Sequence, residues 1–282
     1  DIGASIRNPA HYCGVFGHKP TWGIVPPRGH GKVASNQPSD VAVCGPLARS
    51  AADLEAALLA VAGADPVYGE GWHLTLPQPK KDDLSDFRVA LMLDSPASEV
   101  DEEVKAKLLT LADQLRKAGV TVDERDPFEV DWLQYHEDYF RLFRPVTHSR
   151  LPQEVFDGWL AQRPGIADDD RSYNGMNIKA ATESYYEWAA ADRRRYGYRD
   201  QWNGFFQDYD LLLCPAAASA AFPREESIPR EHRMITVNGH EVEYNDQLFW
   251  AGISGSVYLP GTVAPLGPGG TTGLPVGVQI IG

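Results

Sequence analysis

Between residues 87 and 124 the apolar positions change their period twice, and that change predicts the core of the fold. Phe87-Arg88-Val89-Ala90-Leu91-Met92-Leu93 is a nearly unbroken apolar run of the length of a buried strand. Ser98 with Asp101 has the spacing of a capping box for a helix that runs to about Ala118, and Gly119 ends it. Val120-Thr121-Val122-Asp123-Glu124 begins a second strand. Strand, helix and strand at this spacing predict a parallel βαβ unit and an α/β layer architecture. Upstream, Ser50 caps a predicted helix over about 51–62, with Leu54, Leu58 and Val61 near helical spacing and Gly63 as its stop. Asn238-Gly239, between Met234-Ile235-Thr236-Val237 and His240-Glu241-Val242-Glu243-Tyr244, predicts a tight hairpin.

Two stretches depart from this order. Pro26, Pro27, Gly29, Gly31 and Pro38 make residues 24–45 an irregular connection of the kind that borders active sites, with His30 and Asp40 expected as solvated loop residues. Residues 131–207 are helix-rich and aromatic, Trp132, Tyr135, Tyr139, Phe140, Trp188 and Trp202 among them. Aromatic residues at this density are expected mainly in core, with some available to line an apolar pocket. Pro145, Pro152 and Pro164 are expected to separate helices, and Arg193-Arg194-Arg195 to lie on a solvated helix face.

Composition narrows the function classes. With 282 residues, 43% of them hydrophobic, the chain is long enough for a substantial core. Its 26 Lys and Arg against 39 Asp and Glu give a net charge of -13, which disfavours nucleic acid or an anionic membrane as partner. Cys13, Cys44 and Cys214 are odd in number, far apart and without metal-ligand spacing, so a reducing, cytoplasmic setting is expected. No apolar run reaches bilayer length, and Asp1-Ile2-Gly3 is unlike a signal peptide. No His-Glu-x-x-His, Walker loop or repeat suggests a metal or nucleotide, and no cofactor is expected. Gly252-Ile253-Ser254-Gly255-Ser256 fails as a nucleophile elbow, because Ser256 stands where glycine is needed.

The candidate chemistry lies at Asp1-Ile2-Gly3-Ala4-Ser5-Ile6-Arg7, where a hydroxyl follows two minimal side chains and precedes a fixed positive charge. Acyl transfer needs an oxygen that can approach a carbonyl, with N–H groups to hold the oxyanion that forms. Ser5 is the candidate nucleophile, and Gly3 is expected to permit the tight turn. An ordinary turn with Ser5 as N-cap is the competing reading. His11 is the histidine nearest in sequence and so a candidate base for a Ser-His-Asp type hydrolase.

This run, continuing through Tyr12-Cys13-Gly14-Val15-Phe16-Gly17-His18-Lys19-Pro20-Thr21-Trp22-Gly23, resembles the second half of the amidase signature. Gly45-Pro46-Leu47-Ala48-Arg49-Ser50, Asp208-Tyr209-Asp210-Leu211-Leu212-Leu213-Cys214-Pro215 and Gly273-Leu274-Pro275-Val276-Gly277-Val278 resemble later blocks of that family, in the same order. The resemblance implies a mixed β-sheet layered between helices, and an amidase that works through a serine acyl-enzyme on a small-molecule amide. It puts the nucleophile at Ser5 and the oxyanion hole at the N–H groups of Ile2, Gly3 and Ala4, with Ala4 standing where the family usually has glycine. It also implies a proton relay through a second serine and a lysine, both earlier than Asp1; Lys19 belongs to the Lys-Pro-Thr part of the signature and does not match that lysine. The chain is therefore expected to be the C-terminal portion of one amidase signature domain, incomplete at both ends and inactive without the missing N-terminal half. A catalytically silent interaction or subunit segment is the alternative outside enzymes. Asp40-Val41-Ala42-Val43-Cys44-Gly45 resembles free-standing amidases more than transamidation subunits acting on charged tRNA.

Overall fold

A computed structural model describes residues 1–30, 39–79, 81–149 and 151–282. The opening turn enters helix α1 (Arg7–Cys13), which Gly14 closes in the left-handed region at φ 65°, and strand β1 (Phe16–Lys19) follows. Residues 24–30 and 39–45 carry no helix or strand, as their composition predicted; Gly31 and Pro38 lie outside the described residues. Strand β2 (Leu47–Ala48) hands over to α2 (Ala51–Val61), where the Ser50 hydroxyl accepts the Asp53 N–H at 3.1 Å as the expected cap.

The predicted βαβ unit forms as β3 (Arg88–Leu91), α3 (Glu102–Lys117) and β4 (Thr121–Glu124), with the two strands parallel and Val89 opposite Val122. The cap differs from expectation. Asp101 is itself the N-cap, accepting the Glu103 N–H at 3.0 Å, while Ser98 is buried one turn earlier, its hydroxyl without a partner among the described residues. Ser98 is buried and makes no hydrogen bond to the free N–H groups of the first turn, which Asp101 caps in its place.

The aromatic segment forms α4 (Trp132–His148), α5 (Gln153–Gln162), α6 (Tyr173–Thr182) and α7 (Tyr185–Asp208). Trp132, Tyr135, Tyr139, Phe140 and Trp202 are core residues. Pro152 caps α5 and Pro164 lies in the short turn that ends it, but Pro145 does not separate helices: it lies inside α4, and its carbonyl still accepts the Ser149 N–H at 3.0 Å. In the last turn of a helix, the one bond a proline forfeits is offset by burial of the turns before it. The basic run is also no simple solvated face. Arg194 pairs with the buried Asp138, and Arg195, only 3% exposed, pairs with Asp40 at 2.8 Å. That pair corrects the expectation of a solvated Asp40.

His136 is enclosed by Tyr139, Phe140 and Phe249, its Nδ1 has no partner among the described residues, and burial pushes its pKa down to about 3. The folded state therefore holds fewer protons than the unfolded chain between about pH 6.5 and 3. Stability is full above that window and falls through it on acidification, by ~1.4 kcal/mol per pH unit for this histidine. His136→Phe should flatten the fall in a urea-unfolding series against pH while leaving neutral stability within about 1 kcal/mol.

The chain then supplies β5 (Leu211–Pro215), the hairpin of β6 (Met234–Val237) and β7 (His240–Glu243), and α8 (Leu248–Gly255), β8 (Gly261–Pro268) and β9 (Pro275–Ile281). Asn238 and Gly239 both have positive φ, 49° and 83°, the turn their pairing predicted. Seven strands form one sheet in the order β2-β1-β8-β9-β5-β3-β4, parallel among β4, β3 and β5 and antiparallel elsewhere. The expected mixed α/β sheet is thus present. Every residue of α8 is buried, Ser254 among them, and so is Ser256 at its C-cap, so neither serine of the rejected elbow motif is exposed. Among the described residues no helix is long and apolar enough to cross a membrane.

Candidate active site

Ser5 is exposed on the turn just before α1, between the buried Ala4 and Ile6. What holds this turn is the Asp1 carboxylate. Its Oδ1 accepts the Ala4 N–H at 3.1 Å and Arg7 Nη2 at 2.9 Å, and its Oδ2 accepts the Ile6 N–H at 3.1 Å and Arg7 Nε at 3.0 Å. Val43 N–H donates to the Asp1 carbonyl at 2.8 Å, and Tyr139 hydroxyl donates to the Ile2 carbonyl at 2.5 Å. Arg7 does not line the cavity beside Ser5. It is fully buried, and its Nη1 reaches the Ala251 carbonyl, Ser254 Oγ and Gln279 Oε1 at 2.6, 2.9 and 2.8 Å. Burial lowers its pKa to about 10, so it remains a cation at neutral pH.

The backbone strain of the turn falls on Ala4, at φ 70°, and not on Gly3, as sequence reasoning expected. A Cβ added at Gly3 would meet only Leu248 Cδ2, at an ordinary 3.7 Å. Among the described residues the N–H groups of Ile2 and Gly3 have no partner, whereas that of Ala4 is directed at Asp1. Ala4→Gly relieves a left-handed residue but loses a buried methyl and loosens the unfolded chain, so its net effect should stay within about 1 kcal/mol. Ala4→Val, β-branched at the same φ, should cost about 2–3 kcal/mol; chemical denaturation of the two variants measures the contrast.

Ser5 borders a cavity of about 500 Å³ whose walls include Ile2, Trp22, Val43, Tyr68 and Trp72. The lining is mainly apolar, and the Asp65 carboxylate on it is paired with Arg28 at 3.1 Å. His30 also lines it, exposed as expected, but among the described residues the Ser5 hydroxyl has no hydrogen-bond partner. His11 is fully buried. Gly277 N–H donates to its Nδ1 at 2.9 Å, and its Nε2–H donates to the Ser219 carbonyl at 3.0 Å, so both ring nitrogens are occupied by backbone. Lys19 is likewise buried, its Nζ donating to the Pro20 carbonyl at 3.0 Å, and desolvation pulls its pKa well down. Cys13, Cys44 and Cys214 are all free thiols. Among the described residues no group of three or more His, Cys, Asp and Glu is placed to hold a metal ion.

The mixed sheet and the pinned turn define an α/β protein that presents a serine at the wall of an apolar cavity. A family model described as Amidase matches residues 1–282, and the chain belongs to that family. It is 28% identical over 295 residues to the indoleacetamide hydrolase of Bradyrhizobium diazoefficiens, covering 100% of this chain and 51% of that protein. It is 30% identical over 316 residues to a glutamyl-tRNA(Gln) amidotransferase subunit of Thermus thermophilus, covering 100% of this chain and 59% of that protein. In fold it is similar to a bacterial aryl acylamidase of the amidase signature family, with a TM-score of 0.69 at 20% identity, covering 100% of this chain and 57% of that one. The chain spans about half the length of the curated relatives it matches. Sequence reasoning missed the Asp1 carboxylate as organiser of the turn and the pairing of Arg195 with Asp40.

Proposed function

We propose that the protein is an amide hydrolase acting through a serine acyl-enzyme on a small-molecule amide, with Ser5 as nucleophile. The observation that carries this reading is an exposed Ser5 on a turn held rigid by Asp1 and Arg7, at the wall of a cavity of about 500 Å³. Ser5 Oγ attacks the amide carbonyl carbon, and the oxyanion that forms is held by the N–H groups of Ile2 and Gly3, with Ala4 completing the loop. Collapse of the tetrahedral species breaks the C–N bond and expels the amine, which takes the proton that left Ser5. Water then cleaves the acyl ester, releasing the acid and restoring the hydroxyl.

The Ser5 proton needs an acceptor, and His11 is engaged elsewhere. As the resemblance to the amidase signature implies, we assign the relay to a serine and a lysine on an N-terminal segment preceding Asp1, and on this reading residues 1–282 are the C-terminal portion of one amidase domain. The extra length of the relatives supports this reading. The free thiols and the net charge of -13 support a cytoplasmic enzyme without nucleic-acid or membrane partners. The natural protein should hydrolyse a simple amide while residues 1–282 alone stay at the uncatalysed background. Turnover by the isolated chain at a rate near that of the natural protein would overturn the relay assignment.

A further inference from the structure

Trp22 stands at the Ser5 cavity on a brace that the acyl-transfer chemistry does not use. Its ring stacks on Tyr258, with centroids 5.0 Å apart and 27° between planes. Its backbone N–H donates to the Tyr258 carbonyl at 3.3 Å, and its indole N–H donates to the Ser39 carbonyl at 3.1 Å. Tyr258 is fixed in turn. Its hydroxyl donates to Asp40, and the guanidinium carbons of Arg195 and Arg199 lie 4.6 and 5.3 Å from its ring centroid. Asp40 accepts Arg195 Nη1 at 2.8 and 3.1 Å and the Val41 N–H at 3.0 Å. One carboxylate therefore ties α7 and Tyr258 to the loop that carries Ser39, Val43 and Cys44 into the cavity wall.

Backbone strain marks the same brace. Tyr258 has φ 70° and Val41 has φ 54°, the latter in a β-branched residue that resists that region. Such conformations persist where the surrounding contacts over-determine them. Here those contacts hold an indole whose position is set before any substrate arrives.

We infer that Trp22 determines the specificity of this cavity, and that the cavity takes an amide carrying a flat apolar ring. The inference rests on the reading of the cavity as the substrate site of Ser5. Tyr68 and Trp72 supply further aromatic surface and Val25 and Pro26 an apolar border, while the Asp65 charge is neutralised by Arg28. A planar ring against a fixed indole gains dispersion and quadrupole complementarity without the cost of ordering a mobile wall. A short aliphatic amide offers no face to that surface.

The test is calorimetric binding to the natural protein carrying Ser5→Ala, which keeps the amide intact, with benzamide and propionamide as probes. Benzamide should bind at least about tenfold more tightly than propionamide. Adding Trp22→Ala should weaken benzamide about tenfold and change propionamide less than about twofold, while Trp22→Phe should retain most of the benzamide affinity. Equal binding of the two amides, or equal weakening of both by Trp22→Ala, would overturn the inference. Unchanged propionamide binding shows that the variant is folded. The readout contains no chemistry, so it stands apart from whether Ser5 proves to be the nucleophile.

Discussion

Ser5→Ala should lower amide turnover by the natural protein by about 10⁴-fold or more, with no change in its denaturation midpoint. The size follows from the role. On the proposed mechanism no acyl-enzyme can form without the hydroxyl, and what would remain is binding plus polarisation by the Ile2 and Gly3 N–H groups. The stability term is small because the side chain is exposed and makes no hydrogen bond among the described residues. Initial rates on a primary amide, taken beside a urea titration, measure both. A variant that keeps more than about a tenth of the rate would exclude Ser5 as nucleophile.

Arg7→Met should cost about 3–5 kcal/mol of folding stability, the largest effect expected of any single ion pair in this chain. The pair of Asp1 and Arg7 has no exposed side-chain surface at either partner, at 2.9 Å. Removing the cation leaves the Asp1 carboxylate buried, with the Ala4, Ile6 and Arg7 N–H groups as its remaining donors among the described residues. It also strips a donor from Ala251, Ser254 and Gln279, so the turn is no longer tied to α8 and β9. A surface pair is the control. Arg88 and Asp123, at 3.1 Å with half and two-fifths of their side chains exposed, are screened by solvent, and Arg88→Met should cost far less than Arg7→Met. Arg7→Lys keeps the charge but loses the fork that grips both carboxylate oxygens, and should recover only part of the loss. Urea unfolding of Arg7→Met, Arg7→Lys and Arg88→Met ranks them.

The fold was legible where one local signal decided the outcome. The change of apolar period at 87–124 marked the parallel βαβ unit, Asn238-Gly239 the hairpin, and Ser50 the start of α2. Ser98 and Pro145 misled because tertiary burial overrode a local rule in each case. The candidate nucleophile was named from residue identity, since the turn at Ser5 carries its own short motif. Its support was not. Asp40 and Arg195 are 155 positions apart, and Arg7 meets Gln279 from 272 positions away, so no spacing or period announces either contact. The basic run 193–195 looked like a solvated face because its carboxylate partners, Asp138 and Asp40, come from other elements. Gly3 attracted the expectation of a strained turn because glycine tolerates one, yet the chain puts the left-handed angle on Ala4.

The central claim is that Ser5 is an activated nucleophile, and the most direct measurement is the mass of the natural protein after treatment with a fluorophosphonate, followed by peptide mapping of the adduct. Stoichiometric phosphonylation at Ser5, lost in Ser5→Ala and accompanied by loss of amide turnover, is the predicted result. An unmodified Ser5 in a protein that still hydrolyses amides, or an adduct on another serine that alone abolishes turnover, would contradict it.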